Sequence, residues 1–226
     1  MTSLRAPLAE FIGTFGFFFI GIAAILGTTS AIGTGAGLIG IALAHGLALS
    51  VAVHTFGGVS GAHFNPAVTF GMLATGRIKA GAAVAYVIAQ LAAGVAAAAF
   101  CKAVFPAAAV AQANLGLPLP AAGVSTGTIL ALEFVMTFLL MTAIYGTAVD
   151  ERGRAVKIGG FGIGLAVTGD ILAGGPITGA SMNPARSFGP ALVQGDWAFH
   201  GLYWAAPIAG AVVAALVYEH VILDKR

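Results

Sequence analysis

The sequence predicts an all-α membrane protein of six transmembrane helices plus two re-entrant half-helices, arranged as an inverted repeat. Three observations carry that expectation. The 226 residues are 59% hydrophobic and only 8% charged, whereas about a quarter of the residues in a soluble domain are charged. Six apolar stretches are long enough to cross a bilayer, and two more are too short. Several motifs occur twice, far apart in the chain.

A mean hydropathy of +0.98 assigns the chain to lipid. The net charge of +2 comes without a large basic cluster, which excludes a nucleic-acid surface and leaves the cations as topology signals. One cysteine, Cys101, rules out an internal disulfide. Arg5 precedes an apolar stretch too long for a signal h-region and lacking a small-residue cleavage pattern, so that stretch reads as a retained first span.

A span needs roughly 30 Å of hydrocarbon covered at about 1.5 Å per residue. Runs of that length lie near 6–29, 35–56, 80–105, 125–149, 158–173 and 199–222. The segments 66–75 and 184–194 reach only half way across, as surface helices or as re-entrant ones. If the spans alternate, Arg5, Arg77, Lys79, Arg152, Arg154, Lys157, Lys225 and Arg226 share one side, Lys102 lies opposite, and Arg186 falls within the second short segment. The positive-inside rule then places both termini and the loop 150–157 in the cytoplasm.

The repeat is the strongest organisational signal. Ala9-Glu10-Phe11 with Thr14-Phe15 returns as Leu132-Glu133-Phe134 with Thr137-Phe138, Asn65-Pro66-Ala67 returns as Asn183-Pro184-Ala185, and Tyr86 returns as Tyr203. Three spans separate the copies, an odd number, so the second half sits upside down relative to the first. The chain therefore reads as one domain, 1–226, made of inverted halves 1–110 and 120–226, in which interrupted helices meet near the midplane.

Asparagine is a favoured N-cap and proline suits the first helical position, so Asn65-Pro66 and Asn183-Pro184 read as helix starts. Gly76, followed by Arg77 and Lys79, reads as a C-terminal signature. Each cap ties its oxygen to its own helix, which leaves the amide NH2 to donate outward. Inverted, the two half-helices meet N-terminus to N-terminus. A water at that point turns its oxygen toward Asn65 and Asn183 and cannot relay protons, while the dipole ends repel cations. Non-helical backbone at membrane depth survives only along a wet cavity. The stretches 57–64 and 174–182 are glycine-rich or irregular, so carbonyls of Gly61, Ala62, His63, Gly179, Ala180 and Ser181 are expected as acceptors along such a cavity.

The paired motifs His63-Phe64-Asn65-Pro66-Ala67-Val68-Thr69 and Ser181-Met182-Asn183-Pro184-Ala185-Arg186-Ser187 resemble those of the aquaporins, over essentially the whole chain. The segment Ile171-Leu172-Ala173-Gly174-Gly175, with Gly179-Ala180-Ser181-Met182-Asn183-Pro184, is similar to that of plant tonoplast intrinsic proteins. Short termini and loops suggest a prokaryotic protein. The resemblance implies a pore with Asn65, Pro66, Ala67, Asn183, Pro184 and Ala185 at its central constriction and a selectivity filter of His45, Ile171, Ala180 and Arg186. Water-dedicated members usually carry an aromatic residue where His45 stands and a histidine where Ile171 stands. The combination here implies a wider opening that passes water, ammonia, urea or hydrogen peroxide and excludes protons and ions. Glycerol channels usually have Asp at the position of Ser187, which disfavours glycerol. The resemblance also implies a homotetramer, and a cell-membrane location fits a prokaryotic chain.

Other readings compete residue by residue. His45 could be a buried histidine bonded within the bundle, and His63 could face a vestibule or serve a pH gate. Glu10 and Glu133 could relay protons in a coupled transporter, or accept N–H bonds from the irregular loops and hold the half-helices, which is the reading preferred here. Asp170 adjoins Ile171 at a position where the tonoplast proteins it resembles tend to carry a neutral residue; its role is left open, and one reading is that it accepts a bond from Arg186 or His45. His54, His200 and His220 read as span-end residues and Cys101 as packing. The small-residue runs 92–99 and 209–215 allow close helix approach. No spacing suggests a metal, a cofactor or a catalytic triad, so an enzyme is not expected. A glycerol facilitator, a proton-coupled transporter and a structural membrane protein are the alternatives to a passive channel.

Overall fold

The computed structural model describes residues 4–33, 35 and 37–223; Lys225 and Arg226 lie outside the described residues. Among the described residues, six helices are long and apolar enough to cross a membrane. They are α1 (Arg5–Gly27), α2 (Gly37–Ser60), α4 (Ala80–Val104), α6 (Thr126–Ile144, continued by a π-helical turn, Tyr145–Val149), α8 (Gly159–Thr178) and α10 (Leu202–Val217, continued by a second π-helical turn, Tyr218–Ile222). Between them lie the short helices α3 (Pro66–Ala74) and α9 (Pro184–Gln194), with α5 (Ala107–Gln112) and α7 (Glu151–Arg154) in connections.

The burial pattern inverts that of a soluble protein. Leu8, Leu47, Val51, Ile88 and Leu139 are exposed on the outside, while Glu10, Thr14, Gln90, Glu133 and Thr137 are fully buried. A lipid-facing exterior needs no polar atoms, and the polar groups collect where they can pair.

The packing repeats itself between the two halves. α1 packs on α2 and α4, and α6 packs on α8 and α10. α2 and α8 lie against each other, and each half-helix packs on a long helix of the other half, α3 on α10 and α9 on α4. Close crossings need small residues: a methyl group on Gly94 or Gly189 would run into the backbone of the facing helix, at Ala185 and Gly94 respectively. The small-residue runs thus serve the bundle interior, where Ala93, Ala97, Ala98, Ala211, Ala214 and Ala215 are buried.

One expectation needs correction. The second and fifth spans were expected to end near 56 and 173, before the stretches 57–64 and 174–182, but α2 continues to Ser60 and α8 to Thr178, with Pro176 inside it. Glycine has poor helix propensity in water, yet in lipid each unpaired backbone group costs more than the propensity loss. Within those two stretches, irregular backbone is confined to 61–64 and 179–182.

Candidate functional site

The two four-residue loops adopt the same unusual backbone. Gly61, Ala62 and Phe64 have φ of +85, +53 and +49°, and Gly179, Ala180 and Met182 have +82, +44 and +53°. Each non-glycine residue in that region costs about 1–3 kcal/mol and persists only when its surroundings hold it. Here a buried carboxylate does so. Glu10 accepts from the N–H groups of His63 (2.9 Å) and Phe64 (2.7 Å), from Ser60 Oγ (2.6 Å) and from Gln90 Nε2 (2.8 Å). Glu133 accepts from the N–H groups of Ser181 (3.0 Å) and Met182 (2.8 Å) and from Thr178 Oγ1 (2.7 Å).

Each loop has further matching ties. Ser60 Oγ accepts from the Ala62 N–H at 3.0 Å, as Thr178 Oγ1 does from the Ala180 N–H at 3.1 Å. The Tyr86 hydroxyl donates to the Ser60 carbonyl at 2.7 Å, and the Tyr203 hydroxyl donates to the Thr178 carbonyl.

Beyond the loops, Asn65 and Asn183 cap the half-helices. Asn65 Oδ1 accepts from the Ala67 N–H at 2.8 Å; Asn183 Oδ1 accepts from those of Ala185 (3.0 Å) and Arg186 (3.4 Å). Pro66 and Pro184 follow at the first helical position. The amide nitrogens differ from expectation, because they are only half free. Asn65 Nδ2 donates to the Met182 carbonyl and Asn183 Nδ2 to the Phe64 carbonyl, both at 2.9 Å. Those carbonyls are buried and need a donor, so each amide keeps one N–H of its two.

A cavity of about 380 Å³ runs past this junction. Asn65, Asn183, Gly61, Ala62, His63 and Ser181 line it, as do His45, Ile171, Ala180 and Arg186. Pro66, Ala67, Pro184 and Ala185 are buried beside it without lining it, and Gly179 packs against the backbone of Pro118 and Leu119 instead. His45 Nδ1 bonds the Ile41 carbonyl at 2.8 Å, so Nε2 is the ring nitrogen left over. Arg186 is 5% exposed and its Nη1 has no partner among the described residues. A guanidinium so placed requires water or solute beside it.

Asp170 does not accept from Arg186 or His45. It does not line the cavity, and its Oδ2 is buried without a partner among the described residues. Ile171 takes the cavity face of α8, and the neighbouring position points about 100° away around the helix.

Sequence reasoning missed much of the wall. Leu49 and Val53 lie one and two turns along α2 from His45, and Val167 and Ile163 lie likewise along α8 from Ile171; helical period alone would have found them. Arg77 and Arg154 also line the cavity. Ser60 and Thr178 share the spacing of the two asparagines, which was the available signal for the hydroxyl pair. Among the described residues no three His, Cys, Asp or Glu side chains are grouped to hold a metal.

Comparison with known proteins places this geometry. The family described as "Major intrinsic protein" matches residues 1–218. The chain is 45% identical to "Aquaporin TIP4-4" of Zea mays, over 96% of this chain and 86% of the relative. It is 42% identical to "Aquaporin TIP2-1" of Arabidopsis thaliana, over 100% of this chain and 90% of the relative. Among solved structures, the aquaglyceroporin from Plasmodium falciparum superposes with a TM-score of 0.86 at 24% identity, covering 97% of this chain and 96% of that one, a likeness of fold.

Proposed function

The chain belongs to the major intrinsic protein family, the aquaporin channels, and from that premise we propose that it is a passive channel for water, ammonia and other small neutral solutes such as urea and hydrogen peroxide, closed to protons and ions. The observation that carries the reading is that Asn65, Asn183 and Arg186 line one continuous cavity. The remaining N–H of each asparagine is the donor that orients a passing water, and the half-helix N-termini behind them repel cations. Similarity to relatives named as aquaporins supports water as a substrate.

The wider solute range rests on four wall residues. Ile171 and Ala180 supply small or apolar surface where a polar ring would narrow the opening, while His45 and Arg186 keep donors for single-file solutes. Carbonyls of Gly61, Ala62, His63 and Ser181 serve as acceptors along the file. Glu10 and Glu133 hold the loops: their oxygens already accept N–H and O–H bonds, which disfavours a proton relay. The halves 1–110 and 120–226 form one channel domain, four copies assemble in the cell membrane, and both termini face the cytoplasm.

Stopped-flow shrinkage of proteoliposomes, run beside ammonia and urea uptake on the same preparation, tests the reading. Water flux well above bare lipid and measurable ammonia flux are expected. Vesicles no leakier to water than lipid alone, or uptake that saturates and shows counterflow, overturn it.

A further inference from the structure

The cavity has two charged ends, and only the one at Arg186 figures in the filter. The half-helices meet at their caps and run apart, so Arg186, in the first turn of α9, and Arg77, three residues beyond the end of α3, lie on opposite sides of the junction. Both line the same cavity. We propose, resting on the channel reading above, that Arg77 is a second selectivity residue, which rejects small monovalent cations at the end of the pore opposite Arg186 and is positioned there by Glu219.

The geometry fixes where the guanidinium stands. Arg77 Nε pairs with Glu219 Oε2 at 2.7 Å, on the π-helical turn that follows α10. The guanidinium carbon lies 5.5 Å from the centre of the Tyr145 ring, and the Tyr145 hydroxyl is 2.6 Å from Thr75 Oγ1. The same turn is tied down further by Arg152, which donates to the Ile222 carbonyl at 3.2 Å and is paired with Asp150. Arg77 is therefore held from two elements besides its own.

The pair is also oriented. Arg77 lines the cavity and Glu219 does not, so the wall presents the cation while the carboxylate stands behind it. Arg154 lines the cavity as well, and the balance of charge on the wall there is positive. Arg77, with a third of its side chain exposed, stands where this end of the cavity opens, and a charge lining a cleft with low-dielectric walls focuses its field there and changes local ion concentration. Neutral solutes are indifferent to that field. A cation approaching from this side meets it before reaching the asparagines.

Arg77 also follows a helix C-terminus, where a cation complements the dipole; a purely structural role makes a different prediction. The test uses full-length protein in vesicles, with osmotic water permeability and guanidinium influx read on each preparation, in the native and Arg186→Val backgrounds. Arg77→Gln in the Arg186→Val background is expected to raise the ratio of guanidinium to water permeability by about tenfold, the low end of what focused charge does to local ion concentration. Arg77→Lys should keep the ratio low, because it keeps the charge. The exchange Arg77→Glu with Glu219→Arg rebuilds the pair with the carboxylate on the wall and should leave the ratio high.

A ratio that returns to the Arg186→Val level in the exchange variant makes the pair a structural tie and overturns the proposal. No rise with Arg77→Gln overturns it as well. If native vesicles pass no more water than bare lipid, the channel reading falls and takes this one with it; native water flux with no rise in the ratio sinks the Arg77 role alone.

Discussion

Asn65 and Asn183 each donate across the junction to the loop that leads into the other, Asn65 to the Met182 carbonyl and Asn183 to the Phe64 carbonyl, both at 2.9 Å. The reciprocal pair joins the two halves where they touch, and it leaves one N–H per amide. Asn183→Asp separates these duties. The cap oxygen survives, the donor is lost, and a negative charge appears between the half-helix N-termini. Stability should fall by about 2–3 kcal/mol, since a buried carbonyl is stranded beside a carboxylate. Guanidinium leak through vesicles should rise. Thermal unfolding in detergent that matches the native protein would show that the tie is not holding the halves together.

Glu10 and Glu133 differ in one neighbour, and their glutamine variants should differ accordingly. In either variant one backbone N–H, Phe64 or Met182, faces an amide NH2 in place of an oxygen, at a cost of about 1–3 kcal/mol. Beside Glu10, however, Gln90 donates from Nε2 and its Oε1 has no partner among the described residues. Turning the Gln90 amide over offers an acceptor to the new NH2. Glu10→Gln should therefore be milder than Glu133→Gln by roughly 1 kcal/mol, the size of one hydrogen bond. Gln90→Leu should abolish that advantage in a denaturation series.

How much of this was legible in the sequence follows from which physics each feature obeys. Helix positions were readable because a bilayer imposes a length and the caps are local chemistry: both asparagine-proline starts fall where expected. The ends of α2 and α8 were not, because Gly57, Gly58, Gly174 and Gly175 look like breakers on intrinsic propensity. Only the requirement to pair backbone in lipid keeps them helical. The glutamate ties could be anticipated, since a repeated carboxylate inside a span needs donors. The cross-ties between Asn65, Asn183 and the opposite loops could not, because they depend on three-dimensional apposition that no spacing encodes. The surroundings of Asp170 were not legible for the same reason.

The position of Asp170 yields its own expectation. Asp170 is 6% exposed, its Oδ2 has no partner among the described residues, and it does not line the cavity. Asp170→Asn should not lower water permeability, and it should leave stability equal or higher, since an unsatisfied buried carboxyl costs about 1–3 kcal/mol or more. A loss of flux with folding intact would give Asp170 a role in permeation.

Outside the spans, Asp150 ties the connection after α6 to Arg152 through its carboxylate. Those Arg152 bonds hold its carboxyl down from the ordinary 3.8 to about 2. A folded-state value below the unfolded one adds stability that is fully present above the unfolded value and disappears as pH falls through the folded one. The difference in melting temperature between native protein and Asp150→Asn should hold steady from neutral pH to about 4 and close as pH drops toward 2. A gap that closes between pH 5 and 7 would assign the effect to another group.

Solute range is decided on the wall shared by His45, Ile171, Ala180 and Arg186. Ile171→His places a second imidazole on that wall, on a helix packed directly against the one that carries His45. The ring narrows the passage and adds a polar contact that a small dipole such as water can use more readily than urea. Urea permeability should fall more than water permeability, by about tenfold in the ratio if the barrier rises by about 1.4 kcal/mol for urea alone. Arg186→Val acts in the opposite sense: the one cation among these four residues goes, the opening widens, and larger or charged solutes enter. Urea, guanidinium and water should be read on the same vesicles for both variants. If the two variants leave the ratios where the native protein has them, selection takes place elsewhere along the cavity and these four residues are only its lining.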